Sequence, residues 1–198
     1  MVVSEQAELN LRERTRRAVR SEIVSAAMDV FCRQGFENTT VEEIARAAGI
    51  SRRSYFRYFP SKDAALAEGL AVIGATVVES LARRPGSEAP WDALRRAFDP
   101  LLEHAENEPG ARALGSLMLE RPALRHDKDT AWHGAIAGAL EARMPDHDGD
   151  VRFQAEVLAS AALACLHTAQ ARWLSTDGTR LADLLDTAMG TVRDLPTR

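Results

Sequence analysis

The chain has 198 residues, 45% hydrophobic and 27% charged, a balance that excludes disorder throughout and a length that allows a real core. Only 12 glycines and 8 prolines, frequent alanine and almost no β-branched runs favour helix and disfavour sheet, so an all-α fold is expected. The net charge of −4 would argue against a nucleic-acid partner, but it averages two unlike parts: residues 1–65 hold 11 basic and 9 acidic side chains, the remainder 14 and 20.

Residues 1–11 lack helical periodicity and read as a flexible arm, with Glu5 and Glu8 where a secretory leader would carry basic residues. From Arg12 the pattern turns helical: Ile23, Ala27, Val30 and Phe31 share one face, and Gly35 supplies a left-handed stop. Thr40 with Glu43 three residues on is a capping box opening a second, two-turn helix that ends at Gly49. Ser51 caps a third short helix to about Phe59, and Ser61 caps a fourth running from Lys62 to about Leu81. Arg83 to Pro90 reads as a loop, Trp91 to Ala105 as a helix kinked at Pro100, and Pro109-Gly110 as a break. Leu114, Leu117 and Met118 mark a short helix, Pro122 restarts the chain, and a helix ends at Pro145 before the polar turn 146–149. The segment Val151 to Leu174 is apolar nearly all round between Ala155 and Leu166, which implies burial on more than one side, and Leu181, Leu184, Leu185, Ala188, Met189, Val192 and Leu195 keep helical spacing after a Thr179 cap. This makes about nine helices.

The two C-terminal helices predict a homodimer interface through Val157, Ala161 and Cys165 on one and Leu181, Leu184, Leu185, Ala188, Met189 and Val192 on the other. No apolar stretch reaches the ~18 residues of a membrane span. Cys32 and Cys165 sit in apolar helical contexts without metal or disulfide spacing. A cytoplasmic protein with no membrane partner, cofactor or metal is the expectation.

Function concentrates in residues 40–59. Arg12 to Arg20 holds five arginines and one glutamate, and Arg46 to Lys62 holds five basic residues and no acid, so two basic patches flank one short segment. Two short helices joined by Gly49-Ile50-Ser51, with the small Ala45 where they would cross, follow helix-turn-helix grammar. At 100° per residue Tyr55 and Phe59 form the buried face of the second helix, with Arg53 and Arg57 opposite and Ser54 beside them. Phe56 and Tyr58 flank that face. The alternative is a plain helical hairpin whose arginines solvate a surface.

The strings Gly35-Phe36, Thr39-Thr40-Val41-Glu42-Glu43-Ile44-Ala45, Ala48-Gly49-Ile50-Ser51 and Tyr55-Phe56-Arg57-Tyr58-Phe59-Pro60-Ser61-Lys62 resemble the DNA-binding domain of the TetR family of transcriptional regulators. The resemblance covers about residues 15–70. It implies a three-helix DNA-binding domain, here 12–60, and a larger domain, here 61–198, that binds an effector and dimerises. It also places Arg52, Arg53 and Ser54 at base-reading positions, Phe56, Arg57, Tyr58 and Lys62 at backbone or groove-edge positions, and Thr40 at a phosphate. Phe56 stands where many members have tyrosine, so a phosphate hydrogen bond is lost there and Tyr58 is the alternative source of a hydroxyl. The tandem Arg52 and Arg53 point to a guanine-containing half-site. Arg12, Arg14, Arg16 and Arg17 are either further phosphate or minor-groove contacts or a solvated helix start.

The implied protein is a homodimeric, ligand-responsive repressor released from a palindromic operator by a small hydrophobic effector. Candidate effector-lining residues are Phe98, Leu102, Leu117, Met118, Trp132 and Leu163, with His133 and His167 as polar handles and His104 a further histidine on the same elements. The Arg-Arg-Ser-Tyr-Phe-Arg-Tyr-Phe-Pro string is also similar to a subgroup that includes mycofactocin-associated regulators, which implies an acyl-CoA effector. No nucleophile elbow, phosphate loop, dinucleotide fingerprint or paired-histidine metal helix is present, so no enzyme is expected. The competing reading is an all-helical dimeric interaction module without specific DNA binding.

Overall fold

The computed structural model describes residues 2–108, 110–144 and 150–194, and among them the chain forms ten helices and no strand. They divide between two compact units, Met1–Gly69 and Leu70–Arg198.

The first unit opens with α1 (Val2–Gln34). The helix starts at Val2, not near Arg12, so the arm expected over residues 1–11 is helical from its second residue; the stretch holds no glycine or proline, and Glu, Gln, Ala and Leu sustain a helix without an apolar stripe. Farther along α1, Ile23, Ala27, Val30 and Phe31 are buried, and Gly35 at φ +81° ends the helix with its N–H on the Phe31 carbonyl, 2.9 Å away. Two short helices follow, α2 (Val41–Ala47) and α3 (Arg52–Tyr58), and then the first turns of α4 (Lys62–Ala82). Phe36, Ile44, Ala45, Tyr55, Phe59, Ala65 and Leu66 complete this unit's core.

The second unit begins within α4 and continues with α5 (Pro90–Ala97), α6 (Asp99–Asn107), α7 (Ala111–Glu120), α8 (Pro122–Glu141), α9 (Val151–Ser175) and α10 (Leu181–Arg193). The kink expected at Pro100 is a full break: α5 stops at Phe98, and Pro100, which has no N–H to donate, sits in the first turn of α6. This raises the helix number to ten. Pro145, the turn at 146–149 and Leu195 lie outside the described residues. Thr179 does not cap α10; Arg180 holds the cap position, and Glu106 on α6 accepts from the Ala182 N–H at 3.3 Å and from the Arg180 guanidinium at 3.0 and 3.1 Å.

One apolar cluster fills the unit, from Val77 and Leu81 on α4 through Phe98, Leu102, Trp132, Ile136 and Leu140 to α9 and α10. Its composition corrects the expected dimer interface. Leu181, Leu185 and Met189 are at most 1% exposed and Cys165 is buried, so these side chains are already covered within one chain. Leu184, Ala188 and Ala161 are half-buried, and Val157 and Val192 remain exposed. α4 also corrects an expectation. With a mean hydropathy of 1.6 it is long and apolar enough, by length and composition alone, to cross a membrane. Leu66, Leu70, Val77 and Leu81 on this helix are buried within the fold, while Val72 is exposed.

Candidate nucleic-acid interface

The geometry of residues 40–59 is set by local chemistry. The Thr40 hydroxyl accepts from the Glu43 N–H at 3.3 Å, while Glu43 accepts from the Thr40 N–H and hydroxyl, both at 2.8 Å, closing the capping box at the start of α2. Those bonds hold the Glu43 carboxyl below its ordinary pKa. α2 ends as the Ile50 N–H turns back to the Ala45 carbonyl at 2.9 Å, a reversal that needs the left-handed Gly49 at φ +67°. Ser51 then caps α3 by accepting from the Ser54 N–H at 3.1 Å. The turn is thus written in four residues: Thr40, Glu43, Gly49 and Ser51.

Burial fixes which face of α3 points out. Tyr55 and Phe59 are 0% exposed, and the Tyr55 hydroxyl donates to the Ser61 carbonyl at 3.0 Å, with burial pushing its pKa up to about 12. Arg20 of α1 stacks its guanidinium 4.3 Å over the Phe59 ring, donates to the Tyr58 carbonyl at 2.9 Å and grips both carboxylate oxygens of Glu68 on α4. That carboxylate raises the Arg20 pKa. Arg20 therefore ties α1, the end of α3 and α4 together. The sequence reading missed this role because an arginine in a basic run looks like one more surface charge.

The opposite face is polar and open. Arg52, Arg53, Phe56 and Arg57 are exposed, with Ser54 and Tyr58 half-buried beside them. Arg52 pairs with Glu42 of α2 at 3.0 Å and lies 5.5 Å from the Phe56 ring; Arg57 lies 5.1 Å from the Tyr58 ring. No hydrogen bond or ion pair holds Arg53 among the described residues, so its guanidinium is available without breaking an internal contact. Two expected contacts are placed differently. The Thr40 hydroxyl is engaged in the capping box, and the Lys62 ammonium donates to the carbonyls of Phe36 at 2.7 Å and Thr39 at 3.0 Å while lying 4.3 Å from the Phe36 ring, which commits it to the α1–α2 corner. Leu11, Arg12, Thr15 and Arg16 of α1, with Arg57 and Tyr58, line an open groove of about 830 Å³ beside the exposed face.

Residues 23–68 match the family described as "Bacterial regulatory proteins, tetR family", and residues 88–195, over half of the chain, match the "MftR C-terminal domain". The chain belongs to the tetR family. Among curated tetR-family relatives it is 29% identical to a putative mycofactocin biosynthesis transcriptional regulator, MftR, of Mycobacterium tuberculosis, over 86% of this chain and 87% of that protein. It is 36% identical to the regulator TcmR of Streptomyces glaucescens, over 46% of this chain and only 41% of that one. Among solved structures, the tetR-family repressor FadR of Thermus thermophilus, crystallised with lauroyl-CoA, superposes with a TM-score of 0.63 at 26% identity, covering 90% of this chain and 96% of that one.

In the second unit the expected effector-lining residues separate into groups. Phe98, Leu102, Trp132 and Leu163 share the apolar cluster, and Leu117 and Met118 are buried on α7. His167 is half-buried, with Nε2 3.0 Å from the Asp129 carboxylate. His133 does not join them: its Nε2 lies 3.1 Å from the Glu156 carbonyl, and it lines a shallow surface groove with Phe153, Val157, Ser160 and Ala161. His104 is exposed.

Proposed function

We propose that this protein is a cytoplasmic, homodimeric repressor that binds a near-palindromic DNA site through α3 and leaves it when an acyl-chain effector occupies the second unit. The carrying observation is the two-sided α3: Tyr55 and Phe59 wholly buried, Arg52, Arg53 and Arg57 exposed on the other side. A helix so anchored offers planar guanidinium groups to a major groove, where Arg reads guanine by paired hydrogen bonds. Base reading falls to Arg52, Arg53 and Ser54, with Arg57, Tyr58 and the Phe56 ring at the groove edge. Arg52 must exchange Glu42 for a base, so Arg53 carries the larger share of discrimination.

Pairing of two copies through α8 and α9 is supported by their shared outer face. Phe153 and Val157 are 61% and 49% exposed there, and α8 exposes Ala131, Gly134, Ala135 and Gly138. Among the described residues nothing outside the helix itself lies within 4 Å of where a Cβ at Gly134 or Gly138 would sit. Glycine costs an exposed helix about 1 kcal/mol relative to alanine, and close approach of a second copy gives that cost a purpose. The acyl-chain effector draws support from the T. thermophilus FadR complex with lauroyl-CoA and from the large apolar cluster around Trp132. Gel-shift titration of a selected site with lauroyl-CoA tests the reading: release of DNA at micromolar ligand is expected, and a complex unchanged by ligand would contradict it.

A further inference from the structure

Among the described residues of the second unit one charged group, Lys128, is buried, and its carboxylate partner is less so. The Lys128 side chain on α8 is 4% exposed, and its ammonium lies 4.6 Å from the Trp132 ring and 3.1 Å from one oxygen of Asp129. That same oxygen also meets His167 of α9 at 3.0 Å. Asp129 and His167 are 24% and 27% exposed, so the cluster runs from the surface down to the lysine. Burial lowers the pKa of Lys128 and, with Lys128 beside it, that of His167; the Arg125 charge acts in the same direction on both. One oxygen of a partly solvated carboxylate thus serves both the buried ammonium and the histidine. Taking an ammonium out of water costs several kcal/mol unless fully compensated. Lysine is seldom fully buried unless paired, and among the described residues Lys128 has only the partly solvated Asp129 to pair with.

The neighbours of the cluster define what would complete it. Trp132 and Leu163, one helical turn before His167, belong to the apolar cluster. The Trp132 indole N–H donates to the Leu70 carbonyl of α4 at 3.0 Å, and a Cβ at Gly74 would lie 2.5 Å from that nitrogen, so the indole is held flush against α4. We infer that Lys128 and His167 form a binding site for the anionic end of an amphiphilic ligand, a carboxylate or phosphate whose apolar chain enters the cluster beside Trp132 and Leu163. The anion supplies a second negative charge to Lys128 and His167, which otherwise share one Asp129 oxygen. Drawing the ammonium toward it removes a cation from the Trp132 ring, and Trp132 is the side chain that grips α4, the helix that also carries Glu68. This deepens the proposed effector response and rests on that reading for its regulatory meaning, but not for the binding chemistry.

Calorimetric titration of the full chain with laurate, lauroyl-CoA and 1-dodecanol, which shares the tail without the charge, tests the assignment. At least one anion should bind tenfold or more tightly than dodecanol, and its identity distinguishes a carboxylate from the CoA phosphates as the group received. Lys128→Met should weaken that anion at least fivefold and leave dodecanol within twofold. Asp129→Asn, which removes the competing carboxylate, should tighten the anion at least threefold, a gain that misfolding cannot mimic and that keeps the assignment testable if Lys128→Met is unstable. Smaller changes in both variants, or an anion bound no more tightly than dodecanol, would overturn it. A selected operator that stays bound at saturating ligand would instead count against the proposed effector response, with the Lys128 site still standing on its own titrations.

Discussion

Arg53 and Tyr55 stand two residues apart on one helix with opposite tasks. Arg53→Ala removes an exposed side chain with no internal partner, so stability should stay within about 0.5 kcal/mol of the parent. Specific DNA affinity should fall by about 1 to 3 kcal/mol while binding to random duplex changes little. Competition gel shifts against nonspecific DNA check this, and equal loss on both would reassign Arg53 to a phosphate. Tyr55→Phe acts on the buried side. It deletes the hydrogen bond to the Ser61 carbonyl, a loss of about 1 kcal/mol. The Tyr55 phenol has its pKa raised to about 12 in the folded chain, so unfolded chains release that proton first as pH climbs past about 10. Parent stability should therefore fall between pH 10 and about 12, and the phenylalanine variant should lose part of that alkaline decline in urea melts.

The helices differ in how plainly their residues announce them. Capped and glycine-stopped elements were legible: Thr40 with Glu43, Gly49, Ser51 and Gly35 each perform in space the local task their residue type implies. The first turns of α1 were not, because a helix without an apolar stripe has no periodicity to detect. α10 misled in the other direction. Its clean apolar spacing signals burial, but spacing is the same whether the cover comes from a partner or, as for Leu181, Leu185 and Met189, from the chain itself. Lys62 was read as a backbone or groove-edge contact and Arg20 as one charge of a basic patch, because hydrogen bonds to carbonyls of distant elements leave no mark in the sequence. On α4, Gly74 is required by what crosses it. Gly74→Ala drives a methyl into the Trp132 indole, and a rigid ring has no easy retreat, so a loss of about 1 to 3 kcal/mol is expected in thermal melts. Gly134→Ala, with open space around it, should cost the isolated chain nothing.

For the molecule as a whole, the charge asymmetry carries most of the functional information. An acidic average conceals a basic first third, and association with DNA depends on the local patch. Pairing gives the second requirement of operator recognition, two α3 helices on one duplex. Val157→Glu places a charge in the proposed α8–α9 contact, and the chain should elute as a monomer with DNA affinity lowered by at least tenfold; an unchanged dimer by light scattering would move the interface elsewhere. The effector remained the least legible part, since an apolar cavity lining and an ordinary core use the same residues, and only a misplaced charge such as Lys128 separates them.

Selection of bound duplexes from a random pool, run in parallel with the parent chain and Arg53→Ala, goes straight to the role assigned to α3. The parent should enrich an inverted repeat with guanine in each half-site and centres about one helical turn, ~34 to 36 Å, or a multiple of it apart, and Arg53→Ala should lose the preference at one base pair per half-site. Enrichment of no motif, or of the same motif by both proteins, would contradict the assignment.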